Sequence, residues 1–487
     1  MTDRVPIRTL PSGVRGLDEI LGGGFPELSF NLIAGGPGCG KTTLGLQILY
    51  ANATTTRRGI FFSVLGEPPI KMLRYQQQFS FFDASKVNDA IRFIHLGEAI
   101  DGGLSKVCDR IIEEVDRSDP SFIVIDSFRA AVRRTLAAKG EAELQSVVQR
   151  LALHMTSCQA TSFLLGEYDD DERDSTIFTV ADGIVWLYQA VERNSVVRKL
   201  RVVKMRGQGQ IPGLHTARIT ADGVAAFPRL LKPDEGHEPP ETRDRVTTGV
   251  TGLDAMMSGG IPQGYSVLLA GPSGSGKTVL ANQFIIEGAR KGEPGVIAIF
   301  EKRPNDYLLT TPRGREFRRL VEDKKIEVLY IRPLDLSIDE TLLSLREAVL
   351  RSGARRAVID SLSGLELALA PTFRRDFRES LYRMMGALTG LGVTVMATVE
   401  LEDTYTDLRF SPQGIAFLTD AIIMQRYVEL DGHLRRALAV IKVRASAHSK
   451  ELREYEVEDD GTIVIGNVLS GYTGVLSGSP RRAKGAE

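Results

Sequence analysis

The sequence predicts an α/β protein made of two tandem domains, each a mostly parallel twisted sheet flanked by helices. Three observations predict this fold class. The chain repeats itself once, each copy carries a phosphate-binding loop between an apolar strand and a helix, and each copy continues as strands that alternate with helices. The length of 487 residues exceeds what one ordinary core accommodates, which agrees with two large domains.

The duplication is visible in four landmarks that recur in the same order. PSGVRGLDEILGGGFP at 11–26 returns as TTGVTGLDAMMSGGIP at 247–262. The loop lysine Lys41 returns as Lys277, at an offset of 236 residues (277 − 41). FIVIDS and RAVIDS repeat at an offset of 234 residues (361 − 127), and VKMR and IKVR at an offset of 238 (441 − 203). So constant an offset indicates a tandem repeat of one fold.

The domain boundaries follow from the repeat and from a polar segment between the copies. The segment RLLKPDEGHEPPETRDR is rich in proline and charge, which is typical of an exposed linker. We therefore predict a first domain over residues 1–228, a linker over 229–246, a second domain over 247–468 and a C-terminal tail over 469–487.

Each phosphate-binding loop has the sequence context that its chemistry requires. The apolar segments FNLIA and VLLA precede the loops, and helical spacing follows them. The motif glycines let backbone amides surround a β-phosphate, and the lysine ammonium lies beside the β and γ oxygens. The alternative is a glycine-rich turn that matches by chance. The predicted nucleotide-binding residues are Gly36, Pro37, Gly38, Cys39, Gly40, Lys41, Thr42 and Thr43, and in the second copy Gly271, Ser273, Gly274, Ser275, Gly276, Lys277, Thr278 and Val279.

Two acids at the ends of apolar strands are predicted to support a magnesium ion. Asp126 ends FIVID and Asp360 ends AVID, the pattern of a central parallel strand whose carboxyl end faces a ligand. The loop residues Thr42 and Thr278 would supply a hydroxyl to the same ion. A lone acid after such a strand is more often a helix cap or a turn residue, but the paired loops favour metal binding.

The composition argues against a nucleic-acid-binding, an exported and a membrane-spanning protein. Lys and Arg number 61 against 62 Asp and Glu, so the net charge of −1 provides no global attraction for nucleic acid. The acidic segment DDDERDS at 169–175 also argues against a nucleic-acid-binding loop. The three cysteines and the N-terminal segment give no sign of export or of a disulfide framework, and no apolar run has the length of a membrane span. We expect a cytoplasmic location, without a membrane.

These motifs together resemble the RecA-like ATPases, specifically the duplicated KaiC family, from about Ile7 to Pro480. The resemblance rests on the entry motif G-V-x-G-L-D, the loop, the IDS strand end and the late VKMR and IKVR strands. It implies two RecA-like domains that bind ATP and Mg²⁺, in a homo-oligomer that is a hexameric double ring with nucleotide between neighbouring subunits. It also implies a slow regulatory ATPase or a nucleotide-gated scaffold, with a KaiB-like protein or a signalling kinase as the partner.

The two copies differ at the turn that carries the catalytic acid of this family. There the strand after the loop helix ends in two adjacent acids, of which the first activates water. Gly66 and Glu301 stand at that first position, and Glu67 and Lys302 at the second. The resemblance implies Glu301 as the main catalytic acid and Glu67 as a displaced one. The alternative for Glu67 is a role in capping the turn before Pro68.

The late strands are predicted to supply catalytic cations to a neighbouring subunit. Lys204 and Arg206, like Lys442 and Arg444, alternate along a strand and so project to one face. In KaiC-like rings this face reaches the γ-phosphate held by the next subunit, where Lys41 and Lys277 also act. An exposed basic strand is the alternative.

Two departures separate the chain from a phosphorylation clock. The adjacent Ser and Thr that the clock protein phosphorylates are replaced by Ala416 and Phe417, and the match of Ser411 to a third site is weak. The chain also stops soon after LSGSPRR, so the resemblance implies no long C-terminal extension of the kind through which KaiA regulates the clock protein, and no KaiA-driven phosphorylation clock. We therefore expect no autokinase activity, while a RecA-like DNA-acting ATPase and an autokinase timekeeper with KaiB stay open as alternatives.

Overall fold

The structure is a computed structural model that describes residues 7–64, 69–100, 103–128, 141–168, 176–192, 195–229, 244–301, 304, 307, 314–331, 337–369, 374, 377–401, 418–470, 472–475 and 481–482. The chain divides into two compact units, Met1–Arg229 and Leu230–Glu487. Within the described residues, no helix combines the length and the apolar character needed to span a bilayer.

The strands of the first unit form one large sheet and a small ribbon. They are β1 (Thr9–Leu10), β2 (Phe25–Pro26), β3 (Phe30–Gly35), β4 (Gly59–Ser63), β5 (Ile91–His95), β6 (Phe122–Asp126), β7 (Thr161–Glu167), β8 (Gly183–Glu192), β9 (Ser195–Met205), β10 (His215–Thr220) and β11 (Gly223–Phe227). β1 and β2 pair as the ribbon, and the described part of the large sheet has the order β11-β10-β9-β8-β3-β7-β6-β4-β5. The strands from β8 to β5 in this order are parallel, and β9, β10 and β11 extend the sheet in antiparallel pairs.

Among the described residues, the second unit repeats the ribbon and the large sheet of the first, and it has one additional ribbon, which pairs Tyr472–Thr473 with Arg481–Arg482. Its strands are β12 (Arg245–Val246), β13 (Ile261–Pro262), β14 (Ser266–Gly271), β15 (Gly295–Ile299), β16 (Ile326–Tyr330), β17 (Arg356–Asp360), β18 (Thr394–Glu400), β19 (Ala421–Leu430), β20 (His433–Val443), β21 (Leu452–Val457), β22 (Ile463–Val468), β23 (Tyr472–Thr473) and β24 (Arg481–Arg482). The described sheet runs β16-β15-β17-β18-β14-β19-β20-β21-β22, the same order as in the first unit. The predicted fold class is confirmed.

Helices cover both faces of each sheet. In the first unit they are α1 (Leu17–Leu21), α2 (Lys41–Asn52), α3 (Pro69–Gln76), α4 (Gly97–Ile100), α5 (Gly103–Ser118), α6 (Glu141–Ser157) and α7 (Thr176–Val180), with a 3-10 turn at Ala84–Lys86. In the second unit they are α8 (Thr251–Met256), α9 (Lys277–Arg290), α10 (Gly314–Glu322), α11 (Ile338–Ser352), α12 (Leu362–Ala368) and α13 (Phe377–Gly390).

The central strands are apolar along their length because helices cover both of their faces. All six residues of β3 are buried. Leu32 faces one side and packs with Ile111 of α5 and Leu151 of α6, whereas Ile33 faces the other side and packs with Leu44 of α2. The core therefore consists of two apolar layers, one on each face of the sheet. The edge at which the parallel strands end is polar and is where a functional site is expected. We call this edge the carboxyl edge.

Candidate active site

In both units the phosphate-binding loop connects the central strand to a helix at the carboxyl edge. The loop of the first unit lies between β3 and α2, and that of the second between β14 and α9. The last loop residues, Gly40 and Gly276, have φ angles of 102° and 101°. A Cβ on Gly40 would also lie 2.6 Å from Ile219 Cδ1. The backbone conformation favours glycine before the lysine, and a larger residue at 40 would also displace the end of the Ile219 side chain.

The loop lysines turn back over the loop that precedes them. Lys41 Nζ donates to the carbonyl oxygens of Gly35 (3.0 Å) and Gly36 (2.7 Å). Lys277 Nζ donates to Gly271 (2.9 Å) and Pro272 (2.7 Å) in the same way. The sequence prediction omits Gly35 and Pro272. The repeat offset of 236 residues, which matches Gly35 with Gly271 (271 − 236), is the signal that would have included Gly35.

In the first unit the predicted metal-binding pair is brought together. Thr42 Oγ1 donates to Asp126 Oδ2 at 2.6 Å, across the 84 residues that separate them in sequence. Burial raises the pKa of Asp126, while the hydrogen bond from Thr42 and the charge of Lys41 oppose that shift and Glu167 adds to it. The hydroxyl and the carboxylate oxygens are ligands of the kind that Mg²⁺ prefers.

In the second unit the corresponding acid has other hydrogen-bond donors. Thr398 Oγ1 donates to Asp360 Oδ1 at 2.6 Å, and the Tyr307 hydroxyl lies 3.3 Å from Asp360 Oδ2 and 2.9 Å from Asn282 Oδ1. Burial, together with the nearby Asp360 carboxylate, raises the pKa of Tyr307 far above its ordinary value. The Tyr307 hydroxyl therefore stays protonated and can donate. The sequence prediction missed both Thr398 and Tyr307, which come from segments outside the recognised motifs.

Glu301 lies just after β15 and is exposed at the carboxyl edge. Its Oε1 accepts a hydrogen bond of 2.9 Å from Ser361 Oγ. Gly364 leaves room for this carboxylate, because a Cβ there would lie 2.6 Å from Glu301 Oε1. Burial lowers the pKa of Lys277, and the carboxylates of Glu400, Asp360 and Glu301 act in the opposite direction. Glu301 thus belongs to the group of charges around the loop lysine.

Two further acids at this edge were missed by sequence reasoning. Glu167 ends β7 and Glu400 ends β18, the strands that lie between the loop strand and the strand of the predicted metal acid. Glu167 acts on the pKa of Asp126, and Glu400 acts on that of Lys277. Their signal in the sequence is an acid at the end of an apolar strand, the same pattern that identified Asp126.

Several predicted residues lie outside the described part of the chain. They are the turn residues Gly66, Glu67 and Lys302, the acids at 169–175, and Ser411, Ala416 and Phe417.

The predicted trans-acting cations lie at the opposite edge of their own sheets. Lys204 pairs with Ile184 at the start of β8, and Arg206 Nη1 donates to Asp182 at 2.9 Å. Lys442 pairs with Ile422, and Arg444 Nη1 donates to Asp420 at 3.1 Å. Each pair therefore lies near the amino ends of the central strands, away from the loop of its own unit.

The lysines of these pairs are tied to backbone carbonyls. Lys204 Nζ donates to Phe178 (3.3 Å) and Thr179 (3.2 Å), and Lys442 Nζ donates to Thr419 (2.7 Å). Burial lowers the pKa of Lys204 and of Lys442, and the adjacent arginine of each pair lowers it further. Both pairs are therefore organised alike in the two units.

A cavity of about 730 Å³ adjoins the second loop. Its lining includes Tyr427, Arg436 and Tyr455. The Tyr455 hydroxyl donates to the carbonyl oxygen of Ser275, and a Cβ on Gly274 would lie 3.0 Å from the Tyr427 hydroxyl. Two tyrosines of the cavity lining therefore lie against the loop.

Comparison with known proteins places the chain in a family. A family model described as the KaiC ATPase matches residues 10–230 and, a second time, residues 246–469. The chain belongs to the KaiC family of ATPases. The predicted resemblance is confirmed, and with it the class of P-loop ATPase whose ligand is a nucleotide.

Similar curated proteins match over nearly the whole chain. The circadian clock oscillator protein KaiC of Picosynechococcus is 28% identical over 491 residues, which cover 98% of this chain and 92% of that protein. KaiC 1 of Synechocystis is 27% identical over 496 residues, with coverage of 98% and 93%. KaiC of Prochlorococcus marinus is 26% identical over 495 residues, with coverage of 99% and 97%. The likeness therefore includes both units.

Proposed function

We propose that this KaiC-family chain is a ring-forming ATPase that binds ATP with Mg²⁺, hydrolyses it slowly, and acts as a regulatory ATPase or as a nucleotide-gated signalling scaffold. Residues 1–228 and 247–468 form its two ATPase domains, joined by the linker 229–246 and followed by the tail 469–487. The observation that carries the proposal is the separation, in each unit, of the phosphate-binding loop from the basic pair.

The two loop regions fit a magnesium nucleotide. The Lys41 ammonium already makes hydrogen bonds to oxygen atoms of its loop, so phosphate oxygens can replace the carbonyls as acceptors. The Thr42 hydroxyl and the Asp126 carboxylate lie 2.6 Å apart, as an ion bound by one directly and by the other through water requires. Bound Mg²⁺ neutralises charge on the β and γ oxygens. Thr278 and Asp360 have the same task in the second unit.

Glu301 is the residue that we assign to water activation. Its carboxylate is exposed beside the loop and is oriented by Ser361, and it belongs to the charge group around Lys277. A general base needs both access to water and a fixed orientation. Glu67 has the supporting role in the first unit, where Gly66 supplies no side chain.

The basic pairs require a neighbouring subunit. The loop follows the carboxyl end of β3, whereas Lys204 and Arg206 lie near its amino end. Lys204 is level with Leu32, three residues or roughly 10 Å before the end of β3, and it lies two strand spacings of about 4.8 Å to the side, so the distance of roughly 14 Å exceeds the reach of its side chain. Lys204, Arg206, Lys442 and Arg444 can therefore act on a γ-phosphate only when it is held by another copy of the chain. This supports a homo-oligomer, and the family resemblance favours a hexameric double ring.

We propose that this ATPase acts by binding a protein partner in the cytoplasm. A KaiB-like protein or a signalling kinase fits a scaffold whose surface changes with the bound nucleotide. Nucleic acid is a less suitable partner because the net charge is −1. Autophosphorylation at 411–417 is not expected because Ala416 and Phe417 have no hydroxyl.

Native mass spectrometry with and without ATP and Mg²⁺ tests the assembly. We expect a ring, with six chains as the main species, when both are present, because nucleotide then bridges neighbouring subunits. Omission of Mg²⁺ with ATP retained is the matched control for the metal. A monomer that binds ATP tightly at micromolar protein concentration would refute the proposal.

A further inference from the structure

A group of three metal-ligating side chains lies outside the nucleotide site, on helices of the first unit. Asp116 belongs to α5, His154 belongs to α6, and Cys158 follows α6 directly. Among the described residues, it is the one group of three such side chains whose donor atoms all lie within 4.8 Å of one another. The side chains of Asp116 and His154 are 56% and 27% exposed, and Cys158 is half-buried, so a dissolved ion can reach them.

One nitrogen of His154, one oxygen of Asp116 and the sulfur of Cys158 lie close to one another. His154 Nε2 lies 2.8 Å from Asp116 Oδ1 and 3.6 Å from Cys158 Sγ, and the sulfur lies 3.9 Å from the same carboxylate oxygen. An ion pair explains the first distance, and weak hydrogen bonds of the Cys158 thiol are compatible with the two longer ones. A carboxylate oxygen, an imidazole nitrogen and a sulfur that lie this close together also match three ligands around one ion.

The dimensions agree with tetrahedral zinc. Bond lengths of about 2.3 Å to sulfur and about 2.0 Å to nitrogen or oxygen place neighbouring ligand atoms roughly 3.3 to 3.5 Å apart at a tetrahedral angle. The observed edges are 2.8, 3.6 and 3.9 Å, so shifts of about half an ångström in exposed side chains suffice. His154 and Cys158 are four residues apart and thus share one face of the helix. Thiolate, imidazole and carboxylate are the zinc ligands of proteins.

We propose that Asp116, His154 and Cys158 form a binding site for one zinc ion, with water as the fourth ligand. Binding converts the Cys158 thiol to a thiolate and releases its proton to solvent. The ion joins α5 to the end of α6, the two helices that cover one face of the first sheet. Zinc would therefore stabilise that face of the first unit.

The second unit provides a comparison within the same chain. The strand pairs Phe122↔Thr161 and Arg356↔Thr394 occupy equivalent places in the two sheets, which gives offsets of 234 (356 − 122) and 233 (394 − 161) residues. At these offsets Leu350 matches Asp116, Ala387 matches His154 and Leu391 matches Cys158. Since none of these side chains binds a metal, the second unit should have no equivalent zinc site, and one thiolate-bound ion per chain is expected.

Titration of the nucleotide-free, chelator-treated full chain with Co²⁺ tests the site, because cobalt bound to a thiolate absorbs in the near ultraviolet. We expect this absorption to saturate at one equivalent per chain and to be displaced by Zn²⁺. Cys158→Ser should abolish it. His154→Ala and Asp116→Asn should weaken cobalt binding by at least about tenfold, since loss of an outer-sphere partner alone costs that much.

The matched control is Asp109→Asn. Asp109 lies on α5 and pairs with Arg150 of α6 at 2.7 Å, so this variant breaks an exposed ion pair between the same two helices but removes no proposed ligand. Its cobalt titration should equal that of the unmodified chain. Circular dichroism of each variant checks that the fold is retained. Absence of the thiolate absorption in the unmodified chain, or its persistence in Cys158→Ser, would overturn the proposal and leave a surface ion pair beside a free thiol.

Discussion

The two nucleotide sites share one backbone and differ in the side chains around it. In the first unit the predicted metal acid, Asp126, is held by the loop hydroxyl of Thr42. In the second, Asp360 is held by Thr398 from the neighbouring strand. Glu301 lies beside the second loop, whereas Gly66 offers no side chain at the matching place in the first. The comparison shows that the two units share one sheet topology while the side chains and hydrogen bonds at the carboxyl edge differ.

We interpret the divergence as a division of labour. The second unit has an oriented, exposed carboxylate, Glu301, at the position to which we assign water activation, so it is expected to carry most of the hydrolysis. The first unit has the residues for holding nucleotide and magnesium, and is expected to keep the assembly closed. The predictions below test this interpretation, starting with the largest expected effect.

Replacing the loop lysines should empty the sites one at a time. Lys41→Ala and Lys277→Ala each remove the ammonium that lies over one loop, so each variant should lose nucleotide from its own unit and keep it in the other. Counting bound nucleotides by native mass spectrometry measures this directly. If either single variant emptied both sites, the two sites could not be treated as separate.

Removing the arginines that we propose to act on a neighbouring subunit should lower the ATP turnover of the two units by different amounts. Arg444→Ala should lower steady-state ATP turnover by at least about a hundredfold, because a preorganised cation that stabilises transition-state charge is lost, whereas Arg206→Ala should have a smaller effect. The control is Asp420→Asn, which weakens the pairing of Arg444 but keeps its charge. Equal losses in the two arginine variants would contradict the division of labour.

The hydrogen bond that Thr398 donates to Asp360 should affect the Mg²⁺ concentration that the second unit requires. Thr398→Leu installs the residue that the first unit has at this register position, Leu165, and removes a 2.6 Å hydrogen bond to a predicted metal ligand. We expect about tenfold more Mg²⁺ to be needed for half-maximal turnover. Thr394→Val changes the same residue type at the opposite end of the same strand and should leave the Mg²⁺ requirement unchanged.

The smallest expected effect concerns Asp126 and pH. Burial raises its folded pKa above the unfolded value, so the folded state binds the proton more tightly, and stability falls as pH rises through the folded pKa. Asp126→Asn should therefore raise the thermal midpoint of the nucleotide-free, metal-free protein at neutral pH. This gain should vanish in acid, below the ordinary pKa of Asp.

With Mg²⁺ and ATP bound, we expect the thermal midpoint of Asp126→Asn to lie below that of the unmodified chain. The carboxylate is needed for the ion, so Asp126→Asn should be less stabilised by Mg²⁺ and ATP than the unmodified chain. Thermal melts over a pH series, with and without Mg²⁺ and ATP, measure both halves of the prediction. A variant that is destabilised without ligand at neutral pH would contradict the assignment of Asp126 as a desolvated acid.

The parts of the site that depend on a few adjacent residues could be predicted from the sequence. The segment Phe122–Asp126 is a strand with the predicted bounds, and the helices after the loops begin at Lys41 and Lys277. These features follow from glycine geometry and apolar runs, which are properties of a few adjacent residues.

Two of the residues that sequence reasoning missed, Thr398 and Tyr307, are brought to the site by the fold of distant segments. Thr398 contacts Asp360 because β18 lies between β14 and β17, and this order of strands is not written in either motif. Tyr307 contacts Asp360 from beyond the catalytic turn. A side chain that acts through the packing of distant segments has no local signature, so its role emerges only with the fold.

The most direct test of the central claim is steady-state ATP turnover of Glu301→Gln against Glu67→Gln in otherwise intact assemblies. Both variants keep the size of the side chain and remove its charge, so each is the control for the other. We predict that Glu301→Gln lowers hydrolysis by the second unit by about two to four orders of magnitude, the usual loss for a water-positioning acid, so that total turnover falls to the small share of the first unit, while Glu67→Gln has a small effect on the total. Turnover abolished by Glu67→Gln and nearly unchanged by Glu301→Gln would contradict the account, because the first unit would then be the hydrolytic one.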